Sequence, residues 1–150
     1  MADETTVKWL YPPNFYGTFD EPEIGKVKGP RRYSVLCTCY SDGTGEDDSV
    51  KVRRTDLKTT EGETPSKLVI EKIAYDISGM AVRISCNNMN DEEIAVLNSG
   101  QGEIDFTNVG GFVPIDDDTQ DNDGGDIVFT TESATSGDTY SIKIDFRVKQ

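Results

Sequence analysis

The chain of 150 residues contains no histidine, which removes the side chain that most often serves as a general base near neutral pH. The Ser-His-Asp triad and most transition-metal sites are excluded with it. There is also no GxxxxGKS, GxxxxGKT or GxGxxG loop, so a phosphate cradle is not expected. Carboxylates are abundant, but no pair stands out as a buried acid and base. We therefore predict that the protein is not an enzyme and uses no cofactor.

Apolar residues are few, because 35% of the chain is hydrophobic and the mean hydropathy is -0.53. No stretch approaches the ~20 apolar residues that span a membrane. The N-terminus reads M-A-D-E-T-T-V-K and has no apolar run of the kind found in secretory signals. We expect a soluble protein that is made in a cytoplasm and has no membrane partner.

Basic residues are scarce in the second half of the chain. Residues 1–90 hold 14 acidic and 12 basic residues, whereas residues 91–150 hold 14 acidic and 3 basic residues, and the net charge is -13. Nucleic acid is not an expected partner, since phosphate binding requires clustered Lys and Arg. The acidic excess favours solubility by charge repulsion. The alternative is an acidic face that meets a basic partner.

The three cysteines do not predict a disulfide framework. Cys37 and Cys39 lie two residues apart on a predicted strand, where they are poorly placed to bridge each other. We expect both of them, and Cys86, to be reduced core residues. Without histidine, three cysteines cannot complete a four-ligand zinc site.

An acidic segment, Asp116 to Asp126, reads D-D-D-T-Q-D-N-D-G-G-D. Closely spaced oxygen donors suit calcium, but the segment lacks the position-12 Glu and the flanking helices of an EF-hand. A solvated acidic loop is the simpler interpretation, and a calcium site is the alternative. We predict no metal-binding residues.

Short segments with period-two alternation run through most of the chain, and this pattern predicts strands with one buried face. The clearest is the last one, in which Tyr140, Ile142, Ile144, Phe146 and Val148 alternate with polar residues. Gly, Asp and Asn turns separate seven or eight such segments. The pattern predicts an all-β fold, a single antiparallel β-sandwich that is either immunoglobulin-like or a jelly roll. We expect its last two strands to form a hairpin.

Residues 1–31 are predicted to form an irregular arm ahead of a sandwich domain of residues 32–150. Four prolines in this segment exclude a continuous helix or a central strand. The segment also carries five of the 13 aromatic residues, a residue class enriched where interfaces carry their energy. The alternative is a strap over the core of its own domain. The predicted partner-binding residues of the arm are Trp9, Tyr11, Phe15, Tyr16 and Phe19.

Two pairs of arginines form a second candidate contact surface for a negatively charged partner. The alternative is that they protect exposed strand edges against aggregation. They are Arg31, Arg32, Arg53 and Arg54.

Five sets of residues run in order over nearly the whole chain. They are W-L-Y-P-P-N-F, S-D-G-T-G-E, P-S-K-L-V-I-E-K-I-A-Y-D-I-S-G-M, D-E-E-I-A-V-L-N-S-G-Q-G-E-I-D-F, and G-D-I-V-F-T-T followed by S-G-D-T-Y-S-I-K-I. Together they resemble a group of small structural proteins of tailed bacteriophages, many of them marine or cyanobacterial. Residues 116–123 look like a variable insertion in that comparison.

This resemblance implies a non-enzymatic virion protein, namely a capsid decoration (cement) protein that binds and stabilises the outside of the assembled shell. Its partner would be the major capsid protein, and its location the capsid surface. Self-association is also implied, first as a trimer and second as a dimer. Two alternatives stay open. One is a head–tail connector, tail or fibre accessory protein, and the other is a calcium-dependent carbohydrate-binding module for host attachment.

Overall fold

The computed structural model describes residues 3–11, 32–53, 67–87, 92–113 and 126–149. Within these residues the secondary structure is almost entirely strand, with one short 3-10 turn at Thr107–Val109. The nine strands are β1 Glu4–Tyr11, β2 Arg32–Asp42, β3 Ser49–Val52, β4 Lys67–Ser78, β5 Ala81–Asn87, β6 Glu92–Leu97, β7 Gly100–Asp105, β8 Asp126–Glu132 and β9 Ser136–Lys149. The predicted all-β class is confirmed.

Two antiparallel sheets pack against each other as a sandwich. The five-stranded sheet has the order β1-β2-β9-β4-β7, and the four-stranded sheet has the order β3-β8-β5-β6. The strands therefore pair from the outside of the sequence inwards, as in one long hairpin that folds over on itself. The pairs are β2·β9, β3·β8, β4·β7 and β5·β6. This is the strand order of an eight-stranded jelly roll, to which β1 adds a further edge strand. It differs from the immunoglobulin order, in which the last two strands are neighbours.

The predicted C-terminal hairpin is wrong, because β8 and β9 lie in different sheets. Residues 133–135 carry the chain from one sheet to the other, and Ser133 adopts a φ of 60° there. Each strand has two other neighbours: β8 pairs with β3 and β5, and β9 pairs with β2 and β4. Proximity in sequence suggested pairing, but a strand with partners on both sides has no free edge left for a third.

The core consists of the alternating apolar residues that the sequence pattern predicts. In β9, Tyr140, Ile142, Ile144 and Phe146 are at most 1% exposed, and the inward residues of β2 are equally buried. This alternation follows from the pleat of a strand that has one face against the opposite sheet. The interior is filled with side chains, so the sandwich supplies a rigid support for its edges.

Strand β4 departs from simple alternation. A bulge between Ile70 and Lys72 changes the face on which later residues lie, so Ile70 and Ile73 both join the core. Simple alternation from Leu68 to Ile77 would place Val69 on the same face as Ile73, and the bulge prevents this. Val69 is nevertheless fully buried, because residues 106–112 fold back over it. Gly111 permits this close approach, since its φ is 94° and an added Cβ would lie 2.6 Å from Val69 Cγ1.

The prediction of an irregular arm is wrong for residues 4–11, which form strand β1 on the edge of the five-stranded sheet. β1 pairs with β2 from Glu4↔Tyr40 to Tyr11↔Ser34. The prolines follow this strand rather than interrupt it, and E-T-T-V-K-W-L-Y is rich in the β-branched and aromatic residues that favour strands. The sheet thus extends across the predicted boundary at residue 31. Residues 12–31 lie outside the described part of the chain.

Candidate interaction surface

Strand β1 lies at the border of the five-stranded sheet and carries exposed apolar side chains. It pairs with β2 on one side, and no other described strand pairs with it. The exposed large apolar residues of β1 are Val7, Leu10 and Tyr11, whose exposed fractions are 37%, 39% and 54%. Tyr40 of β2 pairs with Glu4 and is 59% exposed. We call these four side chains, together with strand β1, the β1 edge.

The exposure of Val7 arises because β1 extends past the facing sheet. Val7 pairs with Cys37, and paired residues point to the same side of a sheet. Cys37 is fully buried on the inner side, so Val7 also points inward and yet remains 37% exposed. The facing sheet has four strands against five. The inner face of β1 is therefore only partly covered by the described residues.

Trp9 fixes the middle of β1 to the body of the sandwich. Its ring meets the ring of Tyr33 edge-on at 5.8 Å and that of Phe146 at 6.2 Å. Tyr33 and Phe146 are themselves stacked at 5.3 Å. Such aromatic pairs contribute roughly 0.5–1.5 kcal/mol each beyond the area they bury. Trp9 is therefore the main side-chain anchor of β1.

Asp3 provides a second anchor at the start of β1. Its Oδ1 accepts hydrogen bonds from Ser41 Oγ at 3.0 Å, from the backbone N–H of Asp42 at 3.1 Å and from that of Gly45 at 3.3 Å. We call these three donors the Asp3 cradle. Gly45 has a φ of 81°, in the left-handed region that favours glycine. Convergent donors of this kind form a specific seat for one carboxylate.

Replacing Asp3 with alanine should loosen the start of β1 without unfolding the sandwich. Oδ1 of the carboxylate accepts three hydrogen bonds and Oδ2 accepts one from Cys39 Sγ at 3.8 Å, and the variant leaves Ser41, which is fully buried, without its partner at 3.0 Å. We expect hydrogen exchange of the amides of residues 5–7 to accelerate at least 10-fold, corresponding to about 1.4 kcal/mol. Glu4→Ala is the matched control, since Glu4 is exposed. Equal exchange in both variants would contradict an anchoring role for the cradle.

The other strand edges are less suited to adding a strand. Strand β7 is the other edge of the five-stranded sheet, and β6 is an edge of the four-stranded sheet. The sequence of β6 is E-E-I-A-V-L and that of β7 is G-Q-G-E-I-D, with two acidic residues each. Acidic edges discourage pairing with another strand. β1 carries one acidic and one basic residue. The remaining edge strand, β3, has only four residues, of which Lys51 and Val52 are buried. Charge therefore favours β1 over β6 and β7, and length and exposure favour β1 over β3.

Two of the five aromatic residues predicted to bind a partner lie on β1. The ring of Trp9 packs against Tyr33 and Phe146 of its own chain, whereas Tyr11 is exposed. Phe15, Tyr16 and Phe19 lie outside the described residues. The sequence interpretation missed Val7, Leu10 and Tyr40, because it treated residues 1–31 as irregular and did not extend the period-two pattern into residues 4–11.

Of the four arginines, Arg32 and Arg53 are described, and Arg31 and Arg54 are not. Arg53 is exposed just after β3. The side chain of Arg32 is 74% exposed, and its Nε lies 3.4 Å from Glu71 Oε1. The other oxygen of Glu71 lies 3.7 Å from Arg147 Nε, and Arg147 also donates a hydrogen bond to the Gly110 carbonyl at 2.7 Å. Arg32 therefore helps to neutralise the residue at the β4 bulge, a local role that the sequence pattern did not reveal.

A buried polar cluster joins the loop after β2 to three strands. Lys51 Nζ lies 2.5 Å from Glu46 Oε2, and Tyr140 donates a hydrogen bond to Glu46 Oε1 at 2.5 Å. The side chains of Lys51 and Glu46 are 2% and 6% exposed. The backbone N–H of Glu46 donates to Thr131 Oγ1 at 2.8 Å, and Lys51 Nζ lies 5.6 Å from the centre of the Phe129 ring. Charges so enclosed are out of reach of a solute, so this cluster organises the loop rather than a reaction.

Two thiols and two phenols are buried next to this cluster or in the same core. They make the free energy of unfolding depend on pH in the alkaline range. Burial raises the pKa of Cys37 and Cys39 to about 12, and it also raises the pKa of Tyr33. The pKa of Tyr140 is raised by burial first and by its hydrogen bond to Glu46 second. In the unfolded chain these groups lose their protons near pH 9–10.

We therefore expect the free energy of unfolding to fall as the pH rises above about 9. The unfolded state releases protons that the folded state retains, so stability is greatest below the unfolded pKa and decreases towards the folded pKa. Between pH 6 and 8 it should stay nearly constant, since the chain has no histidine. Urea unfolding from pH 6 to 11 measures both. Cys37→Ala should reduce the alkaline slope, and a slope unaffected by that change would contradict the assignment to Cys37.

Within the described residues, no group of three His, Cys, Asp or Glu side chains is placed to hold a metal ion. The acidic segment considered for calcium lies outside them, apart from the buried Asp126. The described residues also include no helix with the length and apolar character needed to cross a bilayer.

Comparison of the chain with protein-family models, with curated protein sequences and with solved structures finds no match.

Proposed function

We propose that this chain is a non-enzymatic virion structural protein that binds the outside of an assembled phage capsid and stabilises it, with the β1 edge as its contact surface. The ordered sequence segments that resemble phage structural proteins support the virion assignment. The observation that carries the contact assignment is the β1 edge, in which a border strand of the described sheet carries the exposed side chains of Val7, Leu10 and Tyr11. An extended segment of the major capsid protein can add to such an edge as a further strand.

The filled sandwich suits this role because decoration requires a rigid body and an interface, but no chemistry. Binding follows mass action. A protein that binds the assembled shell and not the free subunits stabilises the shell by RT ln(1 + [L]/Kd) per site, about 2.7 kcal/mol at a concentration of 100 Kd. Repetition over many identical sites makes a modest affinity per site sufficient.

Co-sedimentation of the purified chain with capsids stripped of it tests the proposal directly. Saturation at hundreds of copies per particle is the expected result for a decoration protein. Saturation at a dozen copies or fewer would instead assign the protein to the neck or tail. Absence of binding would overturn the assignment to the virion head.

A double variant, Leu10→Ser with Tyr11→Ser, tests whether the β1 edge makes the contact. Both side chains are exposed, so their loss should leave the fold intact, whereas shell affinity should fall at least 10-fold. Val96→Ser is the matched control, because Val96 is 50% exposed but lies on the edge strand β6 of the other sheet. Equal affinities of the two variants would remove the β1 edge from the interface.

A groove on the outer face of the five-stranded sheet favours carbohydrate binding as a second candidate function. It has a volume of about 340 Å³, with Asp76, Gln101, Ser141 and Lys143 among its lining residues. Gln101 Nε2 donates to Asp76 Oδ2 at 3.2 Å, an arrangement that can hydrogen-bond sugar hydroxyls. Jelly rolls include lectin domains. A glycan array with wild type and Gln101→Ala, with and without calcium, tests it, and no bound glycan in either condition would reject it.

A further inference from the structure

The groove on the outer face of the five-stranded sheet lies close to an exposed aromatic ring. Tyr40 of β2 alternates with the buried Cys39 and Ser41, so its ring points to the outer face, where it is more than half exposed. Its partner on β9 is Thr139, two residues before Ser141 in the lining of the groove. We propose that Tyr40 and the groove form one extended site for a linear, neutral oligosaccharide that lies across the strands. This inference rests on the second candidate function, carbohydrate binding.

The groove exists because two short side chains lie among longer ones. Ala74 pairs with Lys143, and Ser141 pairs with Asp76, in two adjacent rows of β4 and β9. All four residues alternate with core residues and therefore point to the outer face. Ala74 and Ser141 form a low floor between the longer side chains, and this leaves a volume of about 340 Å³. Since paired strands support the floor, the site is preformed, and a ligand loses little free energy in ordering it.

The polar groups of the groove suit hydroxyl groups better than a charged ligand. Asp76 Oδ2 accepts a hydrogen bond from Gln101 Nε2 at 3.2 Å, and the amide of Gln101 also carries an acceptor oxygen. Lys143 supplies donors, and the hydroxyl of Ser141 can donate and accept. An anionic sugar would face Asp76 and also Asp145, whose Oδ1 lies 3.8 Å from Lys143 Nζ. Because sugar hydroxyls both donate and accept, a neutral saccharide matches this mixed set.

The separation of Tyr40 and Gln101 sets the length of the ligand. They stand on β2 and β7, with β9 and β4 between them. Neighbouring strands lie ~4.8 Å apart, so three spacings make a site roughly 14 Å long. That is longer than one sugar ring and fits a short oligosaccharide. A tyrosine ring offers a flat apolar face with few rotatable bonds to immobilise, so Tyr40 is the stacking end and the Asp76–Gln101 pair is the polar end.

Glycan binding by the full-length wild type is the first test. On a glycan array without calcium, the chain should retain neutral linear oligosaccharides and should not retain their carboxylated counterparts. The best-retained glycan is then titrated as its monosaccharide and its trisaccharide. An extended site predicts that the trisaccharide binds at least 10-fold more tightly. Equal affinities of the two sugars, or retention of acidic glycans alone, would overturn the proposal.

Two exposed tyrosines give a matched pair of variants for the stacking end. Tyr40→Ala should lower the affinity for the trisaccharide at least 10-fold. Tyr11→Ala should bind it as the wild type does, because Tyr11 pairs with Ser34, six residues along β2 from Tyr40 and therefore ~20 Å away. Both tyrosines belong to the β1 edge, so the readout here is sugar binding alone. An unchanged affinity in Tyr40→Ala would overturn the extended site.

Two further variants test the groove itself. Gln101→Ala should weaken binding at least 10-fold, whereas Glu103→Ala on the same face of β7, outside the groove lining, should not. Ala74→Leu fills the floor and should abolish binding, with the urea midpoint as the check on folding. Sugar binding that survives both Gln101→Ala and Ala74→Leu would overturn this inference and leave carbohydrate binding standing at another site. Absence of any bound glycan would reject both, and neither result bears on the capsid contact.

Discussion

Replacing Glu46 with alanine is expected to lower the free energy of unfolding by about 3–5 kcal/mol, which is the effect of removing one partner from a buried ion pair. Glu46 accepts from Lys51 and from Tyr140 at 2.5 Å each. Without Glu46, the ammonium group of Lys51 remains buried, because only 2% of its side chain is exposed, and it loses the carboxylate that lies 2.5 Å away. A small domain has only about 5–15 kcal/mol of stability, so urea unfolding should show a greatly reduced midpoint.

A double substitution separates the cost of an unpaired charge from the value of the pair. Lys51→Met alone should also destabilise, because it leaves the Glu46 carboxylate buried with Tyr140 as its remaining side-chain donor. Glu46→Leu with Lys51→Met removes both charges, and buried pairs replaced in this way are often neutral in stability. We therefore expect the double variant to lose much less than the sum of the single losses.

An exposed pair in the same molecule provides the control. Arg83 Nε lies 2.7 Å from Glu93 Oε1, but the two side chains are 48% and 41% exposed. Glu93→Ala should cost no more than about 1 kcal/mol, since water screens the pair. If Glu46→Ala costs no more than Glu93→Ala, the buried cluster does not hold the loop as its geometry indicates.

The sequence predicted this cluster least well. Glu46 occurs in S-D-G-T-G-E-D-D, a segment typical of a turn, and Lys51 occurs in S-V-K-V-R-R, a segment typical of a polar edge strand. Both interpretations are correct locally, because β3 is an edge strand and residues 43–48 connect two strands. The burial arises from β8 and β9, which lie about 80–100 residues further along the chain. Local pattern carries no information on such distant partners.

Period-two alternation predicted the strands and their buried faces reliably where a strand is straight and covered on one side. Strands β2 and β9 are the best examples, since they lie side by side within one sheet. The prediction failed for β4, where a bulge changes the face, because one extra residue leaves no mark in composition.

Strand pairing could not be derived from the pattern at all. Adjacency in sequence predicts a hairpin at the C-terminus, yet β8 and β9 pair with strands far away in the chain, as the nested order of a jelly roll requires. The same limitation hid β1. Its residues Thr5, Val7 and Trp9 share one face, but only the presence of β2 beside them makes that face part of a sheet.

Phe146→Ala should lower the free energy of unfolding by about 3–5 kcal/mol and should also release β1. Phe146 is fully buried on the central strand β9, stacked on Tyr33 and in contact with Trp9. Truncation leaves a cavity beside the rings of Tyr33 and Trp9 and removes one of the rings against which Trp9 packs. We expect faster hydrogen exchange throughout the domain, with the largest relative change in residues 5–11.

Trp9→Ala separates these two effects, because Trp9 is only partly buried and lies outside the central strands. It should accelerate exchange in β1 to a similar extent while costing clearly less global stability than Phe146→Ala. The double variant should show a coupling of about 0.5–1.5 kcal/mol, the usual size for an aromatic pair. If β1 amides remain protected in Trp9→Ala, then β1 is held by its backbone pairing with β2 and by Asp3, and the aromatic contact is secondary. Protection lost in both variants would instead mean that the aromatic contact with Trp9 is what holds β1 on the edge of the sheet.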